Sequence, residues 1–99
     1  MTRHTWEIYQ RSMARAFEPV HYVYLFKDGQ GRPVYVGMGR NMRLDTQRRA
    51  PCLAGCSGEI IVSGLTRAQA LETEGRLIRI LGRKGIDPFG LLDNRANTF

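Results

Sequence analysis

Hydrophobic positions fall along this chain in short blocks whose spacing changes from helical to strand-like and back. Trp6, Tyr9, Met13 and Phe17 recur at intervals of three and four, with Arg11 and Arg15 on the opposite side. That spacing predicts a helix over about 5–17, ended by Glu18-Pro19 because the residue before a proline avoids helical geometry. His21-Tyr-Val-Tyr-Leu-Phe26 is rich in β-branched and aromatic residues and predicts a strand. Asp28-Gly-Gln-Gly31 is turn chemistry, and Val34-Tyr-Val-Gly37 is the returning strand, with Pro33 leading into it. From Gly37 to about Arg49 the chain is polar and basic, as a loop leading into a helix would be, and Pro51 to Gly58 is irregular. Glu59-Ile-Ile-Val-Ser63 predicts a third strand. Thr66 then caps a helix to about Leu81, with Gly82 as its stop, and the tail, with Gly85, Asp87-Pro88 and Gly90, is mostly loop. The order helix, hairpin, helix, strand, helix predicts an α+β domain: a three-stranded antiparallel sheet flanked by helices.

Two elements of this pattern carry candidate chemistry. With Asp28 to Gly31 as the hairpin loop, Tyr24 is expected opposite Tyr35 and Tyr22 opposite Gly37. Side chains alternate across a strand, so Tyr22, Tyr24 and Tyr35 share one face, and Val23, Leu25, Val34 and Val36 the other, which reads as core. Phenols facing one another above a glycine suit a site that a ligand approaches closely, although strand tyrosines also reach simple solvent. On the last helix, Leu71, Glu74, Leu77, Ile78 and Leu81 fall at spacings of three and four, so Glu74 stands inside the apolar stripe. Glu72 falls with Arg76 and Arg79 on a solvated flank. A carboxylate on the inward stripe is costly unless it is paired with an arginine or bound to a metal.

Composition narrows the picture. A chain of 99 residues, 42% of them hydrophobic, has room for one domain over 1–99. No stretch approaches the ~20 apolar residues of a membrane span, and no apolar block follows the basic start as in a secretory signal, so a cytoplasmic location is expected. The net charge is +6, and of fifteen basic residues only Lys27 and Lys84 are lysines. Arginine pairs bidentately with phosphate, which points to a polyanion partner. Cys52 and Cys56 lack the further ligands a structural zinc wants and are expected as reduced thiols. Arg43, six residues beyond Gly37, is placed to aim its guanidinium at a phosphate, with Arg40, Arg48 and Arg49 as competitors.

Taken together, these residues resemble a known pattern. Tyr22-Val-Tyr24, ten intervening residues and Tyr35-Val-Gly37 look like the paired motif of the GIY-YIG nuclease superfamily. Tyr35-Val-Gly-Met-Gly resembles the Tyr-Val-Gly-Lys-Gly of its restriction-like branch. Leu71-Glu-Thr-Glu74-Gly-Arg-Leu-Ile is similar to the helix motif that carries the metal-binding glutamate, and Leu91-Leu-Asp-Asn94 to the terminal asparagine motif. The likeness runs in order from about His21 to Asn94. It also has departures. Tyr22 replaces the first glycine of the motif, and Met38 stands where a lysine is common. Asp45 stands where homing and repair-type members have their arginine, and Gln47 replaces a histidine or tyrosine.

The resemblance implies a metal-dependent endonuclease that hydrolyses phosphodiester bonds in nucleic acid, with DNA as the expected substrate. It implies Tyr24, Tyr35, Arg43 and Glu74 as the catalytic set, Glu74 holding Mg²⁺ (or Mn²⁺) near the leaving oxygen. Arg43 would neutralise the phosphate and a tyrosine position or activate the attacking water. Tyr22, Gly37, Arg40, Arg48 and Asn94 are the expected substrate-binding and site-shaping residues. The alternative is a catalytically weak or inactive member that binds nucleic acid or a protein, a reading that Met38, Asp45 and Gln47 favour and the inward Glu74 opposes. The chain has no room for an appended DNA-reading domain. Weak sequence preference, a homodimer in place of a monomer, or delivery by a partner is therefore expected.

Overall fold

A computed structural model of the protein describes residues 17–94. The helix expected over 5–17 lies outside the described residues but for Phe17, which is exposed in a turn. Three strands, β1 (His21–Lys27), β2 (Pro33–Gly39) and β3 (Ser57–Leu65), form one antiparallel sheet in the order β2-β1-β3. A short helix α1 (Arg43–Gln47) and a 3-10 turn (Pro51–Leu53) lie between β2 and β3, and the helix α2 (Arg67–Leu81) follows β3. The expected α+β architecture of a three-stranded antiparallel sheet with flanking helices is therefore present. Among the described residues no helix is long and apolar enough to cross a membrane.

Local chemistry accounts for the turns. In the hairpin, the Asp28 carboxylate accepts hydrogen bonds from the Gln30 and Arg32 amides at 2.9 and 3.0 Å and from Arg32 Nε at 3.0 Å. These contacts hold its carboxyl below the usual range. At the start of α2, the Thr66 hydroxyl accepts from the Gln69 amide at 3.2 Å while the Gln69 side chain accepts from the Thr66 amide at 2.9 Å. This reciprocal capping box fixes where the helix begins.

The hairpin register differs from the expected one by two residues. Tyr24 lies opposite Gly37, Tyr22 opposite Gly39 and Phe26 opposite Tyr35. One residue of the difference comes from the loop, which runs over 28–32 because Lys27 pairs with Pro33, and the other from an irregularity between Phe26 and Lys27 where the ladder shifts. The face on which Tyr22 and Tyr24 lie is also a core. Tyr22, Tyr24 and Phe26 are buried there with Leu44 of α1 and Leu53 of the 3-10 turn, and their rings follow one another at 6.0 and 5.8 Å. Val23 and Val36 are buried on the other side of the sheet beneath Ala70 and Ile78 of α2, with Leu92 from the tail. β1 and β2 are thus covered on both faces while β3 is largely exposed, and the edge of β2 away from β1 lies near both covering layers.

Candidate active site

The outer edge of β2 is where the functional side chains meet. Alternate residues of an edge strand turn their backbone groups outward. Three of them, Val34, Val36 and Met38, find partners here. The Val34 carbonyl accepts from the Asp93 amide at 2.6 Å. Val36 is held twice by Asn94: its N–H donates to Oδ1 at 3.0 Å and its carbonyl accepts from Nδ2 at 2.7 Å. The Met38 N–H donates to the carboxylate of Glu74, one strand-period further on. The tail and α2 together bracket the strand, and Glu74 is held at its end.

Glu74 is 6% exposed. Burial pushes its carboxyl above the usual carboxylate range, while the Met38 amide and the charge of Arg43 pull it back. It faces a cavity of about 190 Å³, several times the ~30 Å³ share of one water. Tyr24, Tyr35, Gly37 and Arg43 line that cavity with it. The whole expected catalytic set therefore converges on one place, from β1, β2, α1 and α2.

Two glycines make this convergence possible. A side chain at Gly37 would overlap the ring and hydroxyl of Tyr24, and one at Gly39 would overlap the stem of Arg43. Tyr24 thus crosses β2 at Gly37 to reach the cavity from the tyrosine core. Arg43 lies over Gly39, exposed at its head, and hydrogen-bonds with the Tyr24 hydroxyl. Burial, reinforced by the nearby Tyr35, pushes the Tyr24 phenol up to about 12, against the opposing influence of Arg43. Tyr24 therefore carries its proton at neutral pH; its hydroxyl accepts from the Arg43 guanidinium and keeps a proton to donate.

The remaining expected residues sit outside the cavity. Tyr22 is buried, with its hydroxyl donating to the Asn41 carbonyl at 2.7 Å and accepting from the Leu44 amide at 2.9 Å. It anchors the loop that presents Arg43. Asn94, 4% exposed, spends both ends of its amide on Val36 and so shapes the strand. Arg40 lies 4.0 Å from Glu18 and Arg48 3.7 Å from Asp45, both at the surface and neither lining the cavity. Met38, Arg67 and Leu71 complete the lining. Arg67 escaped the sequence reading, although its place seven residues before Glu74 on the same helix was a usable signal.

Cys56 is a free thiol packed against the tyrosine core. Among the described residues no three His, Cys, Asp or Glu side chains gather to hold a metal. A single buried carboxylate does not suit zinc, which takes three or four protein ligands. It does suit Mg²⁺, which is commonly held by one or two carboxylates with water and substrate phosphate completing its shell. Comparison with protein-family models, curated proteins and solved structures finds no match to this chain.

Proposed function

We propose that the protein is a divalent-metal-dependent nuclease that hydrolyses a phosphodiester bond at the cavity beside β2. The observation that carries this reading is the burial of one carboxylate, Glu74, against an arginine and two tyrosines in a cavity open to ligand. Burying a carboxylate in this way costs stability, and such costs gather at sites selected for chemistry. The basic charge of the chain and its resemblance to the GIY-YIG pattern point the same way.

Each residue then has a definable task. Glu74 is the residue that would hold Mg²⁺ or Mn²⁺, whose charge stabilises the leaving oxygen when bound. The Arg43 guanidinium pairs with a non-bridging phosphate oxygen and offsets the charge of the transition state. Tyr24, kept protonated by burial, donates a hydrogen bond that orients the phosphate or the attacking water. Tyr35 flanks the same space, where its phenol would position the attacking water. Leu71 and Met38 supply apolar wall beside these groups.

The direct test is cleavage of labelled single-stranded DNA, duplex DNA and RNA with Mg²⁺ or Mn²⁺, and with chelator. Metal-dependent cutting of at least one of these is expected, with DNA the preferred substrate. Absence of cutting with all three, by protein shown to be folded, would rule out the nuclease reading.

A further inference from the structure

Arg67 is the first residue of α2, and its side chain lines the same cavity as Arg43. What holds the two arginines differs. Arg43 is engaged by the Tyr24 hydroxyl, and its charge bears on Glu74. Arg32, Arg40, Arg48, Arg76 and Arg83 each lie against a carboxylate. Arg67 has no hydrogen-bond or ion-pair partner among the described residues. It is an exposed cation turned to a cavity whose internal charges are already balanced without it.

Its position along the helix adds a distance. Arg67, Leu71 and Glu74 lie on one face of α2 at intervals of four and three. Seven residues of helix separate Arg67 from Glu74 by about 10 Å along the axis. A nucleic-acid strand offers phosphates at a rise of ~3.4 Å per nucleotide along a duplex. A phosphate about 10 Å away is therefore one to three nucleotides from the one at Glu74.

Resting on the nuclease reading, we infer that Arg67 binds a second phosphate of the strand that is cut, displaced from the scissile phosphate at Arg43 and Glu74. The guanidinium fork matches a phosphate bidentately, and the partial positive charge of the α2 N-terminus reinforces it there. The substrate is then an internal stretch of polynucleotide. A diester with a single phosphate fills only the half of the site at Glu74.

The experiment compares parent protein and Arg67→Ala on an oligonucleotide and on a bis-aryl phosphodiester, which has one phosphate. For the oligonucleotide kcat/KM should fall about tenfold, the worth of one charged hydrogen bond, and by much less for the small diester. Neutral methylphosphonate is then placed at each of the three positions on either side of the cut. One position should cost the parent that same factor and cost Arg67→Ala nothing further. Equal losses on both substrates, or equal methylphosphonate penalties in both proteins, would overturn the inference. Should the parent cut neither substrate, the nuclease reading falls by itself, and binding of intact oligonucleotide decides the role of Arg67. The slope of log Kd against log salt should then drop by about 0.9 on duplex or 0.7 on single strand in Arg67→Ala; an unchanged slope would overturn it.

Discussion

The ring of Tyr24 lies across Gly37, in the space that a side chain there would fill. The two residues are opposite one another on β1 and β2, so the phenol leaves its core and enters the cavity over the one position in the strand that lets it pass. Gly37→Ala puts a methyl group into that path. The Tyr24 side chain must shift, at a cost of about 1–3 kcal/mol for an overpacked site. Cleavage should fall by at least tenfold, with a lowered Tm. A parental cleavage rate in Gly37→Ala would show that Tyr24 does not act from where it lies.

The Tyr22 hydroxyl tests positioning in the same way. It bridges the Asn41 carbonyl and the Leu44 amide, on either side of Arg43. Tyr22→Phe leaves a buried N–H without its acceptor, at about 1–3 kcal/mol, and frees the loop. The expected result is a loss of kcat larger than that of a variant equally destabilised elsewhere in the tyrosine core, such as Leu53→Val. Equal losses in the two would make Tyr22 a core residue and nothing more.

Asn94 predicts a stability effect. Asn94→Ala strips partners from both the N–H and the carbonyl of Val36 on the bracketed edge of β2. At about 1–3 kcal/mol for each buried group left unpaired, the variant should unfold at lower denaturant and exchange the Val36 amide faster. Unchanged exchange at Val36 would mean that the clamp is replaced by water at no cost.

Much of this arrangement was readable in the chain, and the failures have definite causes. Thr66, the apolar spacing of Leu71 to Leu81 and Gly82 located α2 within a residue, because capping and periodicity are local. The inward place of Glu74 followed from the same spacing and is confirmed by its burial. The register of the hairpin does not follow, since neither the irregularity between Phe26 and Lys27 nor the one extra loop residue before Pro33 leaves a mark in composition. The tyrosine face looked open to solvent because its cover, Leu44 and Leu53, comes from a polar stretch where two isolated leucines carry no period. Leu92 is fully buried from a tail that read as loop, for the same reason. Asn94 reads as a site residue by its motif, and only the folded chain brings it to Val36.

The acidity of Glu74 has a consequence for stability. Burial raises its carboxyl above the usual range, so the folded protein binds that proton more readily than the unfolded chain. Its contribution to stability is therefore full below the ordinary carboxylate pKa of ~4.3 and is lost as pH rises through the folded value. Glu74→Gln, neutral throughout, should melt higher than the parent at pH 7.5, and the gap should shrink toward pH 4. A variant that melts lower at pH 7.5 would show that the Met38 amide and Arg43 more than compensate the buried charge.

The central claim, that Glu74 holds the metal for phosphodiester hydrolysis, is tested most directly by titrating Mg²⁺ into cleavage reactions of the parent protein and of Glu74→Gln. The account predicts saturable, Mg²⁺-dependent cutting by the parent and none by Glu74→Gln, although the variant is folded and still binds the nucleic acid. Cutting by Glu74→Gln with the parental dependence on Mg²⁺ would contradict it and move the metal away from this cavity.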